Sequence, residues 1–224
     1  MSEILYASAI PVARQRQTRQ SLDETLTEAM NALLAIVALI FLAPVMLGVA
    51  LAVFMQDGGP MVFAHRRIGR GGRYFYCLKF RSMAVDAERR LNALLASDPA
   101  ARAEWEKDHK LRDDPRVTKL GAFLRKSSLD ELPQLFNVLR GEMSLVGPRP
   151  IVDAEIVKYG RRFDSYCAVK PGITGLWQVS GRNDTTYRTR VALDCVYAKR
   201  RNLMLDGMII AATVPAVLLR KGSY

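Results

Sequence analysis

Two adjacent carboxylates, Asp130 and Glu131, lie in the stretch Ser127-Ser128-Leu129-Asp130-Glu131-Leu132-Pro133. Arg125 and Lys126 stand just before it. Lys79, Arg81 and Arg149 belong to the short motifs KFRSM and GPRP, whose prolines or flanking strand residues would hold them rigidly. Guanidinium groups suit bidentate contact with phosphate. Two carboxylates among several cations suit metal-assisted phosphoryl chemistry. The same seven residues also read as an ordinary helix start. Serines cap, acidic residues favour the first turn, Ser128 and Glu131 have capping-box spacing, and proline is tolerated early in a helix. A helix N-terminus is itself a phosphate site. Local sequence therefore leaves a structural cap and a catalytic pair both open.

Composition narrows the partners. The 224 residues carry 33 Lys and Arg against 22 Asp and Glu, a net charge of +11, while half of them are hydrophobic. A foldable chain this basic implies polyanionic company: nucleic acid, an anionic membrane face, or phosphorylated substrates. No helix-turn-helix, RRM or KH pattern occurs, so nucleic acid is not an expected partner. Gly69-Arg70-Gly71-Gly72 forms neither a dinucleotide fingerprint nor a Walker loop. The three cysteines, Cys77, Cys167 and Cys195, are odd in number and far apart, a poor disulfide framework that points to a reducing compartment. His65 and His109 lie near no cysteine pair, which argues against structural zinc.

Several elements must position these groups. Ala32 to Met55 is apolar almost throughout and long enough to cross a bilayer. Pro44 interrupts it, and both flanks are basic: Arg14, Arg16 and Arg19 before, Arg66, Arg67, Arg70 and Arg73 after. The positive-inside rule cannot place both flanks of a single span on the cytoplasmic side. A helix that dips in, bends at Pro44 and returns satisfies it, provided the freed backbone groups find partners. Leu203 to Leu219 is apolar but broken by Asp206, Gly207 and Pro215, and reads as an interfacial helix or an amphipathic core helix. Between them, Met61–Ala64 and Tyr74–Leu78 read as short strands around a basic glycine-rich turn. Ala84–Leu111 reads as helix broken near Pro99, and Gly121–Lys126 opens another. The fold class is mixed α/β and mostly helical. Its divisions are a basic segment at 1–28, the membrane helix at 29–56, a catalytic domain at 57–202 and a C-terminal interfacial helix at 203–224.

Long stretches of the chain from about Ala29 to Tyr224 carry a family resemblance: DGGPMVF, HRRIGRGG, CLKFRSM, DDPRVTKLGAFLRKSSLDELPQLFNVLRGEMSLVGPRP and VKPGITGLWQVSGRND. The chain resembles the bacterial sugar transferases, the small monotopic polyprenyl-phosphate phosphoglycosyl transferases. Within them it is most similar to the enzymes that start succinoglycan-type exopolysaccharide with galactose. The resemblance implies transfer of hexose 1-phosphate from a UDP-sugar to undecaprenyl phosphate, with release of UMP. It implies Asp130 as nucleophile in a covalent phosphosugar intermediate, Glu131 as its partner, and Mg²⁺ held by the pair. It further implies phosphate contact for Arg125, and a pocket lined by Lys79, Arg81 and Arg149. Nucleotide or sugar contacts fall to Gln178, Arg182 and Asn183, unless these belong to structural turns. Trp177 reads as a core indole or a base-stacking platform. The implied location is the bacterial inner membrane, with the catalytic domain on the cytoplasmic face and anionic lipid beneath it. Two positions depart from the family pattern: Ala43 replaces a serine before Pro44, and Arg201 replaces a tryptophan, exchanging an aromatic anchor for charge. If the apolar helix re-enters, single cysteines at Gln17 and Arg70 are labelled by an impermeant maleimide from one and the same side of inverted vesicles. Labelling from opposite sides would establish a span.

Overall fold

The structure is a computed structural model that describes residues 3–108, 111–181 and 185–218, with side chains described at 23–106, 111–181 and 185–216. Arg182, Asn183 and His109 lie outside the described residues. The first element is one helix, α1 (Glu3–Asp57), followed by an antiparallel hairpin of β1 (Val62–Ile68) and β2 (Tyr74–Phe80). Then come α2 (Ala87–Ser97), α3 (Pro99–Asp108), α4 (Lys119–Ser127), α5 (Gln134–Leu139) and the short strand β3 (Ser144–Val146). The chain continues through α6 (Ile156–Tyr159), α7 (Phe163–Cys167), β4 (Gly172–Thr174), α8 (Leu176–Val179), α9 (Tyr187–Arg200) and α10 (Leu203–Leu218). β3 and β4 pair in parallel. The architecture is mixed α/β and mostly helical, as the periodicities predict.

Asp23–Asp57 is long and apolar enough to cross a membrane, its most apolar 18-residue window having a mean hydropathy of 2.8. Its register against the folded body follows from 3.6-residue spacing. Ala35, Ala38, Leu39 and Leu42 pack on Phe75, Cys77, Leu135, Val138 and Met143. Four residues further on, the same stripe continues through Met46, Val49, Ala50 and Val53 onto Phe80, Leu120, Leu124, Leu129 and Leu132. Polar ties flank the stripe. Glu24 pairs with Arg70 and Arg201, Glu28 pairs with Lys170 at 2.6 Å, the Leu145 N–H donates to Asn31 Oδ1, and Asp57 pairs with Arg81. The opposite face is bare: Ile40, Phe41, Leu47 and Met55 are each more than 70% exposed. The helix is not interrupted at Pro44, which lies on the exposed side. A proline forfeits one N–H bond, and the helix continues on either side of it. Arg201, where the family resemblance expects tryptophan, is committed to Glu24.

The hairpin is longer than the composition suggests. His65 to Ile68 belong to β1 rather than to the turn, which shrinks to Gly69–Arg73. Alternation along β2 sets Phe75, Cys77 and Lys79 on one face. Asn137 of α5, fully buried, closes the free edge of that strand. Its amide oxygen accepts from Leu78 N–H at 2.9 Å and its amide nitrogen donates to the Tyr76 carbonyl at 2.8 Å. The break at Pro99 is a capped one, with Asp98 Oδ1 accepting from Ala100 N–H at 2.8 Å.

The C-terminal half has its own core of Ile68, Ile151, Tyr159, Tyr166 and Val191. α10 is docked by one face: Ile209 is buried with Val146 and Tyr197, while Met204, Met208 and Val214 are exposed. A buried carboxyl sits in the α9 core. Tyr159 Oη donates to Asp194 Oδ2 at 2.7 Å, and burial pushes Asp194 up to about 7 against the opposing charge of Arg190. An unfolded aspartate titrates near about 4. Between those values the folded chain binds the extra proton, so this group's contribution to stability falls as pH rises toward 7. Asp194→Asn keeps an acceptor for Tyr159 and removes the titration. Its melting temperature therefore declines less than the wild type's between about pH 5 and about pH 8. Parallel melting curves would contradict this.

Candidate active site

α4 brings Arg125 to the site through close backbone contact. Thr118 caps the helix by accepting from Gly121 N–H at 2.9 Å, and the Thr118 N–H donates to the Ser82 carbonyl at 3.3 Å. Gly121 lies so near that carbonyl that a Cβ would stand 1.8 Å from it, so only glycine fits. One turn on, Arg125 Nε donates to Ser82 Oγ at 2.9 Å. The helix then ends abruptly. Ser127 Oγ donates back to the Phe123 carbonyl, and Ser128 adopts a left-handed conformation with φ 57°, the sole non-glycine positive φ among the described residues. Strain of this kind costs about 1–3 kcal/mol and concentrates at functional sites.

The reversal at Ser128 throws Leu129–Glu131 into a single 3-10 turn that carries the dyad inward. The expected serine cap and capping box are therefore absent: neither serine caps this turn, and Glu131 is occupied elsewhere. Pro133 sits just before α5, where its missing N–H costs nothing. Asp130 is 7% exposed. Burial pushes its carboxyl up to about 6, opposed by the charge of Lys79 and assisted by Glu131, with Arg125 and Arg149 also opposing. Glu131 fares differently. Burial works to raise it, but Lys79 and then Arg149 hold it below the usual carboxylate range. Lys79 Nζ donates to Glu131 Oε1 at 2.6 Å, both side chains being about one-fifth to one-quarter exposed. Two neighbouring carboxylates are thus driven apart: one is a committed anion, the other a buried and more basic one.

Arg149 is exposed at the mouth of this site and, among the described residues, makes no ion pair or hydrogen bond. Its charge reaches Asp130, Glu131, Arg67 and Arg190. Arg67 entered the sequence reading only as one of the basic residues flanking the apolar run, not as a site residue. Its side chain is largely buried, donates to the Pro150 carbonyl at 3.2 Å, and helps to hold Glu131 ionised. The signal for it lies in strand parity: Arg67 is an inward member of the run read as a basic turn.

The structure does not bring every expected residue to the dyad. The Arg81 guanidinium is buried beneath Gly59, pairs with Asp57 and donates to the Val53 carbonyl at 3.2 Å. There it closes the C-terminus of α1, where a cation is favoured. Gln178 is turned inward, its amide donating to the Ile173 carbonyl at 3.0 Å. Trp177 is a core indole with the Arg190 guanidinium 4.5 Å from its ring centre. Among the described residues no group of three or more metal-ligating side chains exists. Mg²⁺, however, is commonly held by one or two carboxylates with substrate phosphates and water, and the Asp130-Glu131 pair fits that donor set.

Residues 22–220 match the bacterial sugar transferase family. The chain belongs to that family. It is 55% identical over 174 residues to a UDP-galactose-lipid carrier transferase of Erwinia amylovora, covering 77% of this chain and 36% of that protein. It is 54% identical over 190 residues to an undecaprenyl-phosphate galactose phosphotransferase of Salmonella typhimurium, covering 85% and 40%. An exopolysaccharide production protein, ExoY, of Sinorhizobium fredii is 52% identical over 194 residues, covering 87% and 86%. The chain thus spans about two-fifths of the length of the first two relatives and most of the third. In this bacterial sugar transferase the pairing of Lys79 with Glu131 is the clearest polar contact at the dyad. Lys79→Met strands a partly buried carboxylate and costs about 1–3 kcal/mol in thermal unfolding. Adding Glu131→Gln recovers part of that loss. Additive costs in the double mutant would show that the pair is not coupled.

Proposed function

We propose that this sugar transferase moves hexose 1-phosphate, with galactose as the sugar, from a UDP-sugar to undecaprenyl phosphate and so begins exopolysaccharide synthesis. The observation that carries the reading is the divergence of the two carboxylates: Glu131 neutralised by Lys79, and Asp130 buried with its basicity raised. The names of the Erwinia and Salmonella relatives support the substrates and the sugar, and that of the Sinorhizobium relative supports exopolysaccharide synthesis.

In the proposed reaction an Asp130 carboxylate oxygen attacks the β-phosphorus of the UDP-sugar. The bond from that phosphorus to the bridging oxygen breaks, and UMP leaves with the electron pair. A phosphate oxygen of undecaprenyl phosphate then attacks the same phosphorus and expels the aspartate, which regenerates the enzyme. Arg125, held on Ser82, and Arg149, free at the mouth, are suited to the phosphate oxygens, where charge develops. Glu131 keeps Lys79 in place beside the reacting centre. A bound Mg²⁺ would supply charge neutralisation at the diphosphate, with Asp130 and Glu131 as its protein ligands.

A lipid acceptor requires the site to lie at the bilayer surface. α1 supports a monotopic, re-entrant arrangement. Polar ties hold it to one folded body at Glu24, Glu28 and Asn31 and again at Asp57, with apolar packing between. A spanning helix would draw the packed surface of that body into the hydrocarbon, where its loops are not tolerated. A helix that dips in with its bare face in lipid leaves the body on one side, the cytoplasmic side of the inner membrane by its basic flanks.

Asp130→Asn lowers UMP release from UDP-galactose by at least about 1,000-fold, and no lipid-linked product forms. Wild-type activity in that variant would remove Asp130 as nucleophile.

A further inference from the structure

Arg149 is presented at the dyad by a segment with little freedom of its own. It stands exposed between the buried Pro148 and Pro150. Proline fixes its own φ, and a residue before proline is held extended. The segment is then fastened on two sides. Toward β4, Gly147 N–H donates to the Thr174 carbonyl and Gly172 N–H to the Pro148 carbonyl, both at 2.8 Å. Toward β1, Arg67 donates to the Pro150 carbonyl at 3.2 Å, and Ile68 N–H donates to the Ile151 carbonyl at 3.0 Å.

The contact between Ile68 and Ile151 is antiparallel, and a hydrogen-bonded pair of that kind ordinarily exchanges two N–H···O bonds. Here one bond is direct and the other is not. Tyr166 of α7 puts its hydroxyl into the second rung: Oη accepts from Ile151 N–H at 3.2 Å and donates to the Ile68 carbonyl at 2.6 Å. A single oxygen thus satisfies two buried backbone groups and holds the two backbones apart at that rung. The ring behind it is locked by packing. Tyr166 is 1% exposed, meets Tyr159 edge to face with centroids 5.2 Å apart, and stacks on Phe163 at 6.1 Å. Burial pushes its hydroxyl above the ordinary tyrosine value, so it stays a donor. The core uses the ring. The hydroxyl serves only the rung that leads back to Arg149.

We propose that the Tyr166 hydroxyl is a positioning group for the reaction: by wedging the rung between Ile68 and Ile151, it sets where the Arg149 guanidinium stands beside Asp130 and Glu131. The proposal rests on the reading of Arg149 as a phosphate contact. Misplacing a catalytic constellation by about 1 Å can cost about 100-fold in rate.

The test is UMP release from UDP-galactose by the full chain in detergent, with undecaprenyl phosphate present, read in single turnovers with enzyme in excess. Tyr166→Phe removes only the hydroxyl, and the ring that stays keeps the rung from closing. It lowers the rate about tenfold. Tyr159→Phe takes a hydroxyl from the same core, where it serves Asp194 and not the Arg149 segment. That control also lowers the melting temperature, but its rate stays within about twofold of the wild type. Arg149→Ala is slower than the wild type. Adding Tyr166→Phe to it changes the rate by less than about twofold, because the group being positioned is gone. The proposal is overturned if Tyr166→Phe is as fast as the wild type, if Tyr159→Phe loses as much, or if the tenfold loss persists in Arg149→Ala. Hydrogen exchange reads the wedge without turnover. The Ile151 amide exchanges at least about tenfold faster in Tyr166→Phe and at the wild-type rate in Tyr159→Phe. Unchanged protection of Ile151 in Tyr166→Phe overturns the proposal as well. A wild-type chain that releases no UMP from any UDP-sugar would sink the proposed reaction instead, and the exchange result would still decide the wedge.

Discussion

The ion pair between Lys79 and Glu131 is the contact around which the site is arranged. It commits one of two adjacent carboxylates to a fixed cation, and so lets the other be buried without a second anion free beside it. Without Lys79, two neighbouring anions would compete for one low-dielectric space, and one of them would take a proton. The pair needs β2 and the turn before α5 in fixed relation. Asn137 supplies that relation by completing the open edge of β2 from α5, one strand parity away from Lys79. Ser128 supplies the other half by reversing the chain so that the dyad faces the strand.

α1 is part of the same assembly. Its inward stripe covers the hydrophobic side of β2 and α5 in one stretch, and that of α4 and the dyad turn in the next. The long apolar helix and the turn that carries Asp130 and Glu131 therefore share a core. The reaction proposed for this chain, between a soluble donor and a lipid acceptor, needs such a join, because the reacting phosphorus would have to meet both phases. Three polar ties near one end of the helix and the buried Arg81 near the other hold the arrangement in register, while the outward face is left bare.

Much of this was legible in the sequence. Apolar periodicity disclosed the long helix, and alternation disclosed two strands of the hairpin. The carboxylate pair among cations pointed to phosphoryl chemistry before any fold was known. What was not legible depended on direction rather than on residue type. Arg81 and Lys79 are two residues apart in one motif, yet one reaches the dyad and the other closes the end of α1. Burial against Gly59 decides that, and no local pattern encodes it. Serines before an acidic pair read as a cap because serines usually cap. Here the preceding helix takes the Ser127 hydroxyl, and Ser128 is spent on a left-handed turn. Arg67 was hidden because a glycine-rich run drew the strand boundary too early. Gln178 is polar in a turn-rich stretch, but its amide serves the neighbouring strand.

The central claim is that Asp130 becomes covalently loaded before any lipid acceptor is needed. The most direct measurement is mass spectrometry of the protein after incubation with UDP-galactose and Mg²⁺ in the absence of undecaprenyl phosphate. The account predicts a mass increase of one hexose phosphate on the peptide that carries Asp130, with one UMP released per chain. UMP release that occurs only when the lipid acceptor is present, with the Asp130 peptide unmodified, would contradict it.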